Sequence, residues 1–179
     1  LCVGEITMAS QGPVSPGTVV DNDTIGSVVW DFSENAVSNN GLFSVSDLGV
    51  SNTSHYLVAT NFGFTIPSGA TIDGIVVEIL RQEDNTLDNI YDNAVRIVKN
   101  SIIGSTDKSS TTEWNVDETA YVSYGGATDL WGESWSVAHI NASGFGMALS
   151  AKAVLGLAFT EAEVDHIRIT VYYTSGQTT

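Results

Sequence analysis

Positive charge is what this chain has least of. Six Lys and Arg stand against 21 Asp and Glu, for a net charge of −15, and charged residues of both signs make up only 15% of 179 residues. Phosphate binding needs clustered Lys and Arg; these six are scattered, so no nucleic-acid partner is expected. The same deficit argues against an anionic membrane surface. No run approaches the roughly 18 apolar residues of a membrane span, so no membrane insertion is expected. Cys2 is the only cysteine, which excludes an intrachain disulfide. His55, His139 and His166 fall in unrelated contexts, and no His-Glu-x-x-His, Gly-x-Ser-x-Gly or Cys-His pair occurs. The expectation is a protein that is not an enzyme. A hydrolase built on two facing carboxylates is the weakest alternative, because acids are plentiful and no pair stands out.

What is present suits a packed domain. Hydrophobic residues make up 42% of the chain, enough for a core. With so few charges, the polar surface must be Ser, Thr, Asn and Gly, a composition common on secreted and virion proteins. Position 1 is Leu rather than Met. That start is expected of a processed, exported product, with Met8 as the alternative beginning. The expected location is extracellular, on a cell surface or on a virion.

The pattern is one of short alternating runs. Residues 27–32 read as a strand anchored by Trp30, and Asn39, Asn40 and Gly41 as a turn. In residues 56–64 the set Tyr56, Val58, Thr60, Phe62, Phe64 and Ile66 is the more apolar, and it is expected to face the core. A turn on Pro67, Ser68 and Gly69 leads to residues 71–81, where Ile75, Val77 and Ile79 share one face and Ile72, Val76 and Leu80 the other. Residues 100–112 read as a polar connection, and Gly125-Gly126 as a strand break. Ser136 caps a helix of about two turns that stops at Gly144. In the closing run Ile167, Ile169, Val171 and Tyr173 point inward and His166, Arg168, Thr170 and Tyr172 outward. Many short strands and one helix predict an all-β, two-sheet antiparallel β-sandwich, jelly-roll-like. Residues 1–16 form an extended leader and residues 17–179 a single domain. The leader either lies along its own sheet or adds a strand to a neighbour, through Val3, Ile6, Met8 and Val14.

Three sets of residues are candidates for chemistry. Glu83, Asp84, Asp88 and Asp92, with the intervening asparagines, pack into about a dozen residues the hard oxygens that calcium favours; Asp21 and Asp23 form a weaker set. Calcium is the one cofactor these acids suggest, and a solvated acidic loop is the plain alternative. Glu161, Glu163 and Asp165 alternate along a strand, which would align three like charges. Trp131, Trp135 and Tyr124 could form a platform for stacking sugars, or could be core pillars. Sequons at Asn22, Asn52 and Asn141 permit glycosylation.

The stretch Asn61-Phe62-Gly63-Phe64-Thr65-Ile66-Pro67-Ser68-Gly69-Ala70-Thr71-Ile72-Asp73-Gly74-Ile75 resembles one that recurs in β-sandwich domains of phage structural and bacterial surface proteins. Tyr124-Gly125-Gly126, Asp129-Leu130-Trp131-Gly132, Ile140 to Gly146 and Ile169 to Thr174 are similar to later blocks of such domains. The resemblance covers nearly the whole chain. It implies a structural or adhesive role and carries over no catalytic residue. A looser similarity, of architecture and acidity, is to calcium-dependent subunits of extracellular filaments and tubes joined by donor strands. The expected function is a structural subunit that polymerises with copies of itself; the alternative is a carbohydrate-binding or adhesive module with glycans as partners.

Overall fold

The computed structural model describes residues 7–84, 89–117, 119–154 and 160–175. Its strands are β1 (Met8–Val14), β2 (Thr18–Asn22), β3 (Ser44–Asp47), β4 (Tyr56–Thr60), β5 (Thr71–Glu83), β6 (Ile90–Lys99), β7 (Ile102–Asp107), β8 (Val122–Gly126), β9 (Gly146–Ala153) and β10 (Glu161–Thr174). One short helix, α1 (Val137–Asn141), and one 3-10 turn (Ser33–Ala36) complete the described elements. Every strand pairing is antiparallel. One sheet has the order β1-β10-β5-β8, with β3 also on β10; the other runs β2-β4-β9-β6-β7. With β2 and β3 set aside, the remaining eight strands run first-eighth-third-sixth in one sheet and second-seventh-fourth-fifth in the other. That is the strand order of a jelly roll.

The core lies between the sheets. Ile75, Val77 and Ile79 of β5 and Ile167, Ile169 and Val171 of β10 face Leu57, Val95, Ile97, Met147 and Leu149 from β4, β6 and β9, all fully buried. Each such side chain contributes about 1.5–3 kcal/mol on leaving water. Trp30, Trp114, Trp131 and Phe145 are the largest fully buried side chains in this core. Tyr56, Val58, Ala94, Val98 and Ala148 make a smaller cluster apart from it.

Breaks in the strands reset the alternation. Asn61 has φ 58°, so after β4 the chain changes phase. Leu57 and Ala59 enter the main core before it, Phe62, Phe64 and Ile66 after it, while Tyr56 and Val58 join the smaller cluster. Register shifts interrupt β6 between Asp92 and Ala94, and β10 between Val164 and His166. Each is a bulge that sends the residues on either side of it to opposite faces relative to strict alternation.

Several expectations change. Residues 27–32 make only isolated bridges, Val28 with Ser54 and Asp31 with Val45, although Trp30 is buried. The polar connection after Asn100 contains β7: Asn100 and Ser101 both have positive φ, the two-residue turn that folds β7 back on β6. Gly125 and Gly126 do not break β8 but pair with Val76 and Ile75. A Cβ on Gly125 would stand 2.3 Å from the Ile75 carbonyl oxygen and 2.7 Å from the Trp131 indole nitrogen, and its φ is 83°. Helix α1 keeps its expected Ser136 cap but is shorter than expected, five residues ending at the Ala142 cap rather than at Gly144: the Ser136 hydroxyl accepts the His139 N–H at 3.3 Å, and His139 Nδ1 accepts the Ser136 N–H.

Of the two expected placements of the leader, the structure shows the first: residues 8–14 form β1 along the chain's own sheet, paired with β10 from Met8 opposite Thr174 to Val14 opposite Ile169. Val14 packs against the core. β1 is the first strand of the jelly roll, and the backbone of Met8 and Val14 pairs within their own subunit. Val3 and Ile6 lie outside the described residues.

Candidate functional site

The described residues of the acid-rich loop do not gather as a metal cage. Asp92 is buried, and its carboxylate joins the two sheets. Oδ1 accepts the Trp114 Nε1–H at 2.8 Å and lies 3.4 Å from Arg81 Nε; Oδ2 accepts the Tyr124 hydroxyl and the Ser110 N–H, each at 2.8 Å. Arg81 also donates to the Tyr124 oxygen at 3.0 Å and lies 4.6 Å from the Trp114 ring centre. Burial, then the neighbouring Asp92 charge, push the Tyr124 hydroxyl well above its ordinary value, so it stays a donor. β5 and β8 supply Arg81 and Tyr124, and β6 supplies Asp92. A paired and hydrogen-bonded buried charge is what low dielectric permits.

The other acids are dispersed. Glu83 is buried and accepts the Ile90 N–H at 3.2 Å. Asp84 accepts the Glu161 N–H at 3.0 Å. Asp88 lies outside the described residues. Asp21 accepts the Trp30 N–H at 2.8 Å and pairs with His55 Nδ1 at 2.9 Å, while Asp23 is exposed. Among the described residues no group of three or more His, Cys, Asp or Glu could hold a metal ion. Asp92 is therefore corrected from ligand candidate to cross-sheet partner: its oxygens are taken by Arg81, Trp114, Tyr124 and Ser110.

The sugar-stacking candidates change too. Trp131 is fully buried and donates its indole N–H to the Ile75 carbonyl at 3.0 Å. Tyr124 is buried in the same core. Trp135 is half-buried, edge-on to Phe145 at 5.4 Å, and donates to the Leu130 carbonyl at 2.9 Å. With two of the three rings inside, there is no shared platform.

The alignment of Glu161, Glu163 and Asp165 fails at the β10 bulge. Asp165 is buried and accepts the N–H groups of Asn40 and Gly41 at 3.1–3.2 Å. Glu161 and Glu163 stay together, with Glu161 opposite Asp47. Burial, then Asp84, Glu163 and Asp47, hold the Glu161 carboxyl above its ordinary value of 4.5. The folded chain thus grips this proton more tightly than the unfolded chain. Ionised Glu161 weakens the fold at neutral pH, and the effect fades as pH falls through the raised value towards 4.5. Glu161→Gln is expected to stabilise by about 0.5 kcal/mol at pH 7 and by nothing below about pH 4 in urea titrations. An equal gain at both pH values would show that charge is not the cause.

On the outward side of β5 and β10 lies a second polar group. Arg168 donates twice to Glu78, at 2.9 and 3.1 Å, with its guanidinium 3.6 Å from the Tyr121 ring centre. Tyr121 Oη is 2.7 Å from His166 Nδ1, and Ser15 Oγ is 2.9 Å from His166 Nε2. The chain of contacts has the outline of a nucleophile, a base and an orienting group. Each ring nitrogen is held by one hydroxyl, Tyr121 at Nδ1 and Ser15 at Nε2, and among the described residues no carboxylate stands on the ring to orient it as a base. Burial, then Arg168, lower the His166 pKa and favour the neutral ring.

Fold and site together place the chain among jelly-roll β-sandwiches. Comparison with family models, with curated proteins and with solved structures finds no match to it.

Proposed function

We propose that this chain is a non-enzymatic structural module of an extracellular assembly or virion surface, which meets copies of itself along an open sheet margin. One observation carries the reading: β7 ends its sheet, and its first residue, Ile102, is 70% exposed. An uncovered strand edge offers unpaired N–H and C=O groups, and an apolar side chain beside them favours pairing with another chain. The opposite margin of the molecule is blunted. β1 carries Pro13, which has no N–H to donate, and a register shift between Gln11 and Val14. Two β7 edges meeting antiparallel would make a two-fold, self-complementary contact.

The buried polar groups support the same view, because Asp92, Arg81 and Tyr124 are spent on holding the sheets together. Jelly rolls serve as capsid subunits and as lectin domains, so fold does not choose between assembly and binding. Ile102→Lys tests the margin. Sedimentation velocity is expected to show association weakened by about tenfold, the effect of roughly 1.4 kcal/mol, with an unchanged melting temperature. Association untouched by the lysine, or a wild-type chain that stays monomeric at high concentration, would remove β7 from the mechanism.

A further inference from the structure

A cleft of about 320 Å³ opens beside the Asp92 cluster, at the lower end of the range for small-molecule sites. Tyr91 and Lys152, directly opposite each other on β6 and β9, form one wall. Ser109, Ser110 and Thr111 bring hydroxyls, Val154 an apolar patch, and buried Asp92 the floor. Asp92 holds this hydroxyl-bearing segment in place through the Ser110 N–H.

Lys152 is what sets the cleft apart. Four of the six bases sit in ion pairs: Arg81 with Asp92, Lys99 with Glu133, Lys108 with Asp129 and Arg168 with Glu78. Arg96 donates to the Gly104 carbonyl. Lys152 has no ion pair among the described residues, although acids outnumber bases 21 to 6. Glu113 accepts from the Tyr91 hydroxyl at 3.5 Å, and Asp92 is paired with Arg81. A half-buried ammonium with no carboxylate on it among the described residues, beside an aromatic ring and three hydroxyls, is a complementary set. The ring takes the C–H face of a sugar, the hydroxyls its hydroxyls, and the ammonium one carboxylate.

We propose that this cleft binds a carboxylate-bearing saccharide, such as a uronic acid residue of a glycan. The site is independent of the β7 margin, so either can fail without the other. The test uses the full chain and calorimetric titration with D-glucuronate, D-glucose, acetate and an acidic tripeptide. Glucuronate is expected to bind at about millimolar strength and about tenfold tighter than glucose or acetate. Lys152→Gln is expected to erase the preference over glucose. Glu113→Gln, at an exposed position, is expected to tighten glucuronate about twofold and leave glucose unchanged, since it removes a like charge. No heat from glucuronate up to about 10 mM, equal affinity for glucose, or a preference that survives Lys152→Gln overturns the proposal. Acetate binding as tightly as glucuronate reduces the cleft to an anion site, and tripeptide binding more tightly makes it a peptide site; both overturn it.

Discussion

Asp92→Ala is expected to cost about 3–5 kcal/mol, the effect of removing one member of a buried ion pair. Arg81 is only 3% exposed, and the change would leave its charge without a carboxylate inside the molecule. The Trp114 indole N–H, the Ser110 N–H and the Tyr124 hydroxyl would lose their acceptor at the same time. Each unpaired buried donor adds its own desolvation cost, about 1–3 kcal/mol. Asp92→Asn should recover only part of the loss, since an amide has one acceptor oxygen and no charge to offset Arg81. The double change Arg81→Met, Asp92→Leu should be much less harmful than Asp92→Ala, because it leaves no charge unpaired. Urea unfolding followed by tryptophan fluorescence reads all three, with Trp114 as an internal reporter. A loss under about 1 kcal/mol for Asp92→Ala would mean that the carboxylate is solvated, which would return it to the pool of cation ligands.

The interior acid could have been found in the sequence by a signal on a different strand. Arg81 shares the parity of Ile75, Val77 and Ile79, the inward face of β5. An arginine on an apolar parity must have a buried partner, and Asp92 is an acid inside the next apolar run. The acid-rich composition of residues 82–93 drew attention to the loop as a unit, whereas the structure divides it by direction. Asp92 faces in and pairs across the sheets, Glu83 faces in and accepts a backbone N–H, and Asp84 bonds backbone near the start of β10. Metal chemistry depends on convergence, which composition does not encode.

Strand alternation itself was legible, and its phase was not. The inward sets Ile75, Val77, Ile79 of β5 and Ile167, Ile169, Val171 of β10 match the sequence pattern, whereas Ile72, expected on the opposite face, also enters the main core because a register shift separates it from Gly74. The set Tyr56, Val58, Thr60 fails because Asn61 takes a left-handed conformation, and a one-residue slip exchanges faces. Asp165 fails for the same reason at its bulge. β7 escaped detection because it has a single partner and a mostly exposed surface, so selection for apolar alternation is weak along it. The Asn100-Ser101 turn was its one local mark. β1 was legible as extended chain with two placements, its own sheet or a neighbour's; topology decides for the first, because β10 lies beside it.

Trp131→Ala is expected to cost about 3–5 kcal/mol, which separates a core pillar from a ligand platform. The indole is fully buried, and it occupies the space that the missing side chain of Gly125 leaves open. Its N–H satisfies the Ile75 carbonyl, and its own backbone N–H is bound by Asp129 Oδ1 at 2.8 Å. Lys108, paired with Asp129, covers the ring at 5.3 Å. Truncation would open a cavity under β5 and β8 and leave a buried carbonyl unpaired. Trp131→Phe should keep most of the volume and lose about 1 kcal/mol for the hydrogen bond alone. Trp135→Ala should cost less than Trp131→Ala, since that ring is half-exposed already. Denaturant unfolding of the three variants gives the order, and glucuronate titration of Trp135→Ala should match wild type because the Lys152 cleft does not include that ring. A Trp131→Ala chain as stable as wild type would place the indole at the surface and restore it as a sugar-stacking residue.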